Sequence, residues 1–389
     1  MIALVDKTKC TGCTACVSAC PTHCIEMEAD REGFAYPKTD ISKCIHCGRC
    51  SAVCQVEKML VAPEPIYALG ANAKNNAIRV RSSSGGVFFY LASHILKRGG
   101  VAYGAALQNN CISVRHECVR DQDDIQKLMG SKYVQSDVGD TFVQVKEQLQ
   151  SGIEVLFTGT PCQIGGLKAF LGKEYENLIC VSVICHGAPS PLLWNMYVQK
   201  CVSALGGELL HCDFRNKKHG WNHFGLRIES SSGKKRFTSA QTDPYMRMFL
   251  KNISLRPSCY QCSAKSNVCG ADIVIGDFWG VEKRLPKLAD DLGTSLILVY
   301  STKGEKLIKA ISENLVLQRV NAMEALLGNR AFSGSVAEPS LRNAFFADLQ
   351  EMSFDFLAKK YVSFSAKERV KLILDSLHIL DLVCRILGK

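Results

Sequence analysis

Cys10, Cys13, Cys16 and Cys20 are separated by two, two and three residues, and Cys44, Cys47, Cys50 and Cys54 repeat that spacing 34 residues later. Thiolates so spaced hold cubane 4Fe-4S clusters. Three of them wrap one corner of a cluster from a single loop, and the fourth, at the start of the following helix, points away and ligates the second cluster. The ligand sets therefore cross: Cys10, Cys13 and Cys16 pair with Cys54, and Cys44, Cys47 and Cys50 pair with Cys20. A structural zinc module is the competing chemistry, but a tetrahedral zinc site usually uses separated thiolate pairs, and two triples fit it poorly. Cys24 belongs to neither set and reads as a small buried apolar residue.

A looser group of cysteines lies further on. The loop Phe157-Thr158-Gly159-Thr160-Pro161-Cys162 leaves one apolar strand candidate, and Ile184-Cys185-His186-Gly187 leaves the next. Ligands of open α/β sheets bind beyond the carboxyl ends of the strands. Two parallel neighbours would place Cys162 and Cys185 together at that edge, where Cys259 and Cys262 could complete a third four-thiolate set for a 4Fe-4S cluster. The alternatives are a zinc site, or a redox dithiol at Cys259 and Cys262 with Cys162 and Cys185 as core residues. Cys269 is a further candidate ligand.

Other residues suit an anionic or planar ligand. Ser82-Ser83-Ser84-Gly85-Gly86 precedes a helix and offers hydroxyls and free backbone N–H groups, as a phosphate requires; a plain N-cap is the alternative. Gly130-Ser131-Lys132-Tyr133 adds a cation and two hydroxyls, or is an exposed turn. The strand Asp272 to Ile275 ends in Gly276-Asp277-Phe278-Trp279-Gly280, where Trp279 could flank a ring or simply fill the core. Thr158, Thr160 and Asp277 complete the cofactor-binding candidates, and Lys132 and His186 are the candidates for moving a proton.

The elements that must position these groups follow from the pattern of apolar residues. Residues 1–60 form a small duplicated module, and two prolines in Val61-Ala62-Pro63-Glu64-Pro65 make 61–66 a stiff linker. From residue 67 strands and helices alternate. Helices are predicted over Val87–Arg98, Phe142–Gln150 and Ile164–Leu171. Strands are predicted over Val101–Leu107, Cys111–Val119, Ile153–Phe157, Leu178–Ile184, Ile273–Ile275 and Leu296–Tyr300. Strand, short helix, strand over 153–184 is a βαβ unit with a buried parallel pair. The fold class is therefore mixed α/β: a two-cluster ferredoxin-type module, then a larger domain over 67–330 and a helical segment over 331–389. The last 22 residues read as an amphipathic helix with a basic edge, packed on its own domain, with a membrane-surface role as the alternative.

The 389 residues are 47% apolar and 22% charged, as in a folded protein. No apolar run reaches the roughly 18 residues of a membrane span, and the first residues lack the pattern of a signal peptide, so the expected location is cytoplasmic. Twenty cysteines in a reducing compartment point to metal or redox chemistry rather than disulfides. The formal charge is +10. Twelve thiolates around three cubane cores would lower it to about +4, which argues against a nucleic-acid partner.

With these segments in view, the chain resembles the coenzyme F420 hydrogenase/dehydrogenase beta-subunit family. The resemblance rests on Ser82–Gly86, Gly130–Ser136, Phe157–Ile164, Cys185–Pro191, Leu255–Cys262 and Ile275–Gly280, which occur in the family's order. Residues 1–60 resemble a bacterial two-cluster ferredoxin, whose proline after the fourth cysteine is matched by Pro21 but replaced by Gln55 in the second run. The family implies a flavin, FAD, beside an iron–sulfur cluster. The expected function is a flavin and iron–sulfur oxidoreductase. It would move electrons between ferredoxin-type clusters and an organic two-electron acceptor or donor, such as a deazaflavin, with a ferredoxin or a hydrogenase or dehydrogenase subunit as partner. A non-catalytic electron-transfer subunit and a zinc-dependent nucleic-acid binder are the competing readings.

Overall fold

The computed structural model describes residues 6–57, 62–365 and Glu368. The N-terminal module pairs two single-turn helices, α1 (Ala15–Ser18) and α2 (Arg49–Ala52), with a hairpin of β1 (Ile25–Ala29) and β2 (Ala35–Thr39). The duplication extends to the backbone. Gly12 and Thr14 take left-handed φ of 68° and 64° within the first cysteine run, and His46 and Gly48 take 52° and 75° at the matching places in the second. Left-handed residues at these places curl each loop so that its N–H groups turn inward, as an anionic cluster requires.

Residues 62–66 contain no helix or strand, and residue 61 lies outside the described residues. The larger domain then runs through β3 (Tyr67–Ala73), α3 (Asn76–Arg81), α4 (Val87–Lys97), β4 (Val101–Gln108), β5 (Ser113–Val119), α5 (Ile125–Leu128), α6 (Thr141–Gln150), β6 (Val155–Gly159), α7 (Pro161–Leu171) and β7 (Leu178–Val183). It continues through α8 (Pro191–Leu205), β8 (Leu209–Asn216), β9 (Gly225–Ser230), β10 (Lys235–Ser239), α9 (Pro244–Leu250), β11 (Ile273–Asp277), α10 (Val281–Arg284), β12 (Ser295–Val299), α11 (Thr302–Ile311), β13 (Leu315–Val320) and α12 (Ala322–Leu326). The helices α13 (Arg342–Leu349) and α14 (Phe354–Val362) follow. Apart from Glu368, the helix expected over the last 22 residues lies outside the described residues.

One sheet of eight strands runs in the order β13-β3-β12-β11-β7-β6-β4-β5. Its centre, β11-β7-β6-β4, is parallel, and every other pairing is antiparallel. The expected βαβ unit is present: Val155 pairs with Leu178 and Gly159 with Ser182 in parallel register. Burial on both faces explains why these strands read as continuous apolar runs. A second sheet, β10-β9-β8, is an antiparallel meander that the sequence pattern did not announce. It packs with α8, α9, α13 and α14 around Trp194, Tyr197, Phe214 and Tyr245, where the Trp194 ring centroid stands 4.8 Å from Phe214 and 4.9 Å from Tyr245. The helices α13 and α14 are therefore part of this lobe rather than a separate appendage.

The module shares core with both lobes. Phe34 and Tyr36 of its hairpin are buried in the aromatic lobe, and Ala15 is buried against the large sheet's helices. Arg342 clasps Glu32 through two hydrogen bonds, at 2.9 and 2.5 Å, and also donates to the Leu255 carbonyl. Arg342 is 4% exposed and Glu32 24%. Replacing one member of a buried pair strands the other charge at a cost of about 3–5 kcal/mol, and the partial exposure of Glu32 puts this pair at the lower end. Arg342→Leu should therefore lower stability by about 3 kcal/mol and speed amide exchange of β1 and β2. Unchanged exchange in the hairpin would show that the clasp does not hold the module.

Candidate functional site

The strands β4, β6, β7 and β11 deliver their carboxyl ends to one cavity of about 860 Å³, closed on its far side by the aromatic lobe. That volume lies in the range of roughly 300–1,000 Å³ typical of small-molecule sites. Cys162, Cys185, Cys259 and Cys262 all line it. Cys162 is not in a loop as the sequence suggested. It is the second residue of α7, whose start is set by Pro161 and by Gln163, whose Oε1 accepts from the Thr160 N–H at 2.9 Å. Cys185 follows β7, and Cys259 lies in a 3-10 turn, Pro257–Gln261.

The four thiols feel one another. Burial first, then the thiolates of Cys262, Cys185 and Cys259, hold Cys162 well above the usual thiol range. Burial and then Cys259 push Cys185 up to about 12. Burial raises Cys259 despite a hydrogen bond from the Ala188 N–H to its Sγ at 3.3 Å. Thiols raised as Cys162, Cys185 and Cys259 are would give up their protons to a cationic core. Thiol donors and an N–H aimed at sulfur fit an iron–sulfur cluster. Cys269 does not line the cavity, and its Sγ donates to Asn267 Oδ1 at 3.3 Å.

In the module, burial pushes Cys16 up to about 12, with Cys13, Cys10 and Cys54 adding to the shift in that order. Cys54 thus lies with the first triple, as crossed ligation requires. The second triple surrounds a small hollow with Cys20, where Cys47 is exposed. Cys24 is there too, its Sγ 3.4 Å from Cys20 Sγ. Burial would raise Cys20, but hydrogen bonds from Cys24 and Thr22 bring it down to about 7. Among the described residues no three His, Cys, Asp or Glu side chains converge as around a single metal ion. A cubane asks for a different arrangement, four thiolates on four different irons.

The module meets the cavity at α7. Gln55 Nε2 donates to the Cys162 carbonyl at 2.5 Å. An ideal Cβ on Gly166 would stand 2.9 Å from Cys13 Sγ, so only glycine allows that approach. Arg256 reinforces the contact by donating to the Cys10 carbonyl at 2.8 Å, the Ala35 carbonyl at 3.0 Å and Gln135 Oε1 at 3.1 Å.

Most predicted cofactor residues line the same cavity: Ser83, Ser84, Gly86, Ser131, Lys132, Thr158, Thr160, Asp277 and Trp279, together with the proton-moving candidate His186. Ser83 Oγ accepts from the Ser131 N–H at 2.6 Å, tying the two loops together. Gly85 is different, because it faces away from the cavity. An added Cβ would lie 2.2 Å from the Ala71 carbonyl oxygen, and its N–H donates to Ser295 Oγ at 2.9 Å. It anchors the serine loop to the sheet. Lys217 holds the loop from the other side, donating to the Arg79, Ser84 and Leu292 carbonyls at 2.7–2.8 Å. Asp277 is already engaged by Arg215 at 3.0 Å and by Trp221 Nε1 at 3.1 Å, and Trp279 stacks on Trp221 with centroids 4.7 Å apart. Thr158 Oγ1 and Asn329 Nδ2 are buried at the cavity wall with no hydrogen-bond partner among the described residues. Unpaired buried polar atoms, the serine loop and a buried lysine fit a phosphate-bearing planar ligand such as a flavin.

Two titratable groups gain meaning here. Burial lowers Lys132 to about 7, against the raising influence of Asp213 and Glu117; its Nζ donates to the Met129 and Lys127 carbonyls at 2.7 and 3.1 Å. Burial also brings His116 down to about 4. The sequence reading passed over His116 because it sits on an ordinary alternating strand. Its Nε2 donates to the Thr158 carbonyl at 3.2 Å, which fixes the tautomer, and its Nδ1 accepts from Ser136 Oγ at 3.1 Å. Gln163 Nε2 donates to that same hydroxyl at 2.8 Å, so a chain of hydrogen bonds joins His116 to the first turn of α7. His186 is held by Asn252 Oδ1 at 2.6 Å, and burial lowers it as well.

Residues 153–324 match the family model for the carboxyl-terminal part of the coenzyme F420 hydrogenase/dehydrogenase beta subunit, and residues 9–58 match the model of a 4Fe-4S dicluster domain. The chain is 24% identical over 336 residues to the coenzyme F420-dependent sulfite reductase of Methanocaldococcus jannaschii, a match covering 83% of this chain and 49% of that protein. A stretch of the chain is 38% identical over 77 residues to NADH-quinone oxidoreductase subunit I of Pelobacter propionicus, covering 18% of this chain and 41% of that one. The chain thus spans about half the length of these curated relatives. Among solved structures, a chain of the F420-reducing [NiFe] hydrogenase complex from Methanosarcina barkeri superposes with a TM-score of 0.46 at 16% identity, covering 79% of this chain and 95% of that one. Among the described residues no helix is long and apolar enough to cross a membrane.

Lys132 supplies a pH test. Its folded value of about 7 lies below the ordinary lysine range, so it is charged below about pH 7 and neutral above. A bound anion would raise that value. Affinity for inorganic phosphate or FAD should therefore be greatest below pH 7 and fall as pH rises through it. Titration by calorimetry at pH 6 and pH 8 reads this directly, and Lys132→Met should flatten the dependence. A profile identical in the variant would remove Lys132 from the site.

Proposed function

Starting from an iron–sulfur oxidoreductase-type subunit, with a 4Fe-4S dicluster domain ahead of a C-terminal domain of the coenzyme F420 hydrogenase/dehydrogenase beta-subunit type, we propose that the chain moves electrons between its ferredoxin module and an organic two-electron acceptor or donor. FAD would occupy the central cavity, and Cys162, Cys185, Cys259 and Cys262 would hold a third 4Fe-4S cluster in its wall. The observation that carries this reading is that the four-thiol set and the serine loop line one cavity, while the helix bearing Cys162 is packed by Cys13 of the module.

A bound flavin exchanges a hydride on one side and single electrons on the other. The chain's own residues supply the setting. Ser83, Ser131 and the first turn of α4 face a phosphate, with Lys132 as the nearby cation. Trp279 and Phe224 form apolar wall. Lys132, close to neutral at physiological pH, and His186 are the groups placed to hold a proton at the cavity. The substrate is a small planar molecule such as a deazaflavin, the chemistry named for the sulfite reductase relative. The partner is a ferredoxin or a hydrogenase or dehydrogenase subunit, meeting the module where Cys47 is exposed.

Anaerobically purified protein should hold about twelve irons, from three four-iron clusters, and one flavin per chain. Cys259→Ala should reduce the iron to about eight and keep the flavin, yet stop its reduction by electrons given to the module. Cys54→Ser should remove the cluster of Cys10, Cys13 and Cys16 and spare the other. Intact clusters in a protein that takes up no flavin would make the chain an electron-transfer subunit instead. Zinc at Cys259 and Cys262 would overturn the third cluster.

A further inference from the structure

Lys217 directly follows β8 of the meander, yet its ammonium serves the other lobe. Its Nζ donates to the carbonyls of Arg79, Ser84 and Leu292 at 2.8, 2.8 and 2.7 Å. A lysine ammonium has three N–H donors, so all of them are used. The three carbonyls belong to three segments: the end of α3, the serine loop and the loop before β12. Gly293 gives the lysine its room. An ideal Cβ there would stand 3.0 Å from the lysine Nζ and 3.1 Å from the Ser84 carbonyl carbon, and the φ of Gly293 is 96°.

The bond to Ser84 decides how the serine loop faces the cavity. Ser84 and Gly85 share one peptide unit, whose carbonyl is held by Lys217 and whose N–H donates to Ser295 Oγ at 2.9 Å. Gripped at both ends, this peptide cannot rotate to turn its carbonyl into the cavity. The Gly85 carbonyl is taken as well, by the Ala73 N–H at 2.7 Å. Two hydroxyls of the loop are also engaged: Ser82 Oγ donates to the Ile78 carbonyl at 2.8 Å, and Ser84 Oγ to the Thr294 carbonyl at 2.7 Å. Ser83 Oγ accepts from the Ser131 N–H and hydroxyl at 2.6 and 2.9 Å, which leaves its own proton to donate. The loop therefore offers a ligand donors: the Ser83 hydroxyl and the first N–H groups of α4, which have no acceptor within the helix. An anion needs that surface, because a carbonyl swung toward a phosphate would repel it.

We propose that Lys217 is the positioning residue of the serine loop: by collecting the Arg79, Ser84 and Leu292 carbonyls, it fixes the loop in the form that takes the phosphate end of a flavin dinucleotide. The inference rests on the flavin reading above. Arg79 supports the same arrangement. Its guanidinium bonds Asp290 at 2.7 Å and donates to the Gly293 carbonyl at 2.9 Å, which holds the turn that Lys217 reaches. Without the lysine the loop samples forms that expose a carbonyl. Affinity for a phosphate-bearing ligand then falls in proportion to the share of molecules that keep the competent form. Riboflavin carries the ring and no phosphate, so its binding does not call on the loop.

The test titrates the full-length, cluster-replete protein, freed of flavin, with FAD and with riboflavin, and follows quenching of the flavin fluorescence. The parent protein should bind FAD more tightly than riboflavin. Lys217→Met keeps an unbranched stem without the donors. It should weaken FAD binding about tenfold, as when about a tenth of the molecules keep the competent loop, and leave riboflavin affinity and iron content at the parent values. The ratio of the two affinities is the readout, because loss of folded protein lowers both alike and leaves the ratio unchanged. If Lys217→Met does not fold, Lys217→Arg carries the test: it keeps the charge, but its planar fork cannot serve three carbonyls gathered around one nitrogen, and the ratio should fall again. The parent ratio in either folded variant would overturn the role of Lys217. A parent protein that binds FAD no more tightly than riboflavin, or binds neither, would instead overturn the flavin reading, and that is seen before any variant is made.

Discussion

The contact between α7 and the N-terminal module is the constraint on which the rest of the molecule depends. Electron transfer between buried centres needs short, fixed separations, and a tethered module would not provide them. Gly165 and Gly166 remove two side chains from the middle of a helix, which costs about 0.5–1 kcal/mol each relative to alanine. In return Cys13 approaches the helix backbone more closely than any larger residue would permit. Arg256 and Arg342 then secure the module at two further places, one beside Cys10 and one at the hairpin turn. Both arginines are nearly inaccessible to solvent and give most of their N–H groups to carbonyl or carboxylate oxygens. Guanidinium suits this role because its fork of donors can satisfy several acceptors that would otherwise be buried unpaired.

The same packing explains the chemistry of the thiols. Those in the cavity wall are buried together, and burial with mutual repulsion raises the proton affinity of Cys162 and Cys185. A fold that gathers such groups stores a cost that a cationic core would relieve. The outer set is not under that pressure. Cys47 is exposed, and Cys20 is drawn down by its hydrogen bonds.

How much of this was legible depended on the range over which each feature is encoded. The cysteine runs are local, and their spacing alone implied the crossed sets; the proximity of Cys54 to Cys16 agrees with them. The parallel pair β6 and β7 was legible because strands buried on both faces are apolar throughout. The meander β8 to β10 was not, because its strands alternate with polar residues and its turns resemble loops. Gly85 read as part of a phosphate loop, yet its missing side chain serves the sheet behind the loop. His116 had no signal beyond its own identity. Its importance comes from Ser136 and Gln163, which are 20 and 47 positions away and meet it only in the folded chain.

Asp277 and Trp279 were read as ligand contacts, and their surroundings give them another meaning. Asp277 ends a strand of the large sheet, whereas Arg215 ends a strand of the meander, so their ion pair spans the two lobes at the cavity. Trp221 and Trp279 stack across the same boundary, and Arg215 lies over the Phe224 ring at 3.8 Å. With Arg215 only 3% exposed, its charge needs Asp277, which also accepts from Trp221 Nε1. These residues therefore determine the width of the cavity by holding its two walls together. The serine loop adjoins this seam: Gly85 donates to Ser295 Oγ, Ser295 is the strand partner of Asp277, and Lys217 donates to the Ser84 carbonyl. The seam is closed by charges matched within the protein, whereas the hydrogen bonds of Lys132 go to neutral carbonyls and, among the described residues, no carboxylate pairs with its Nζ.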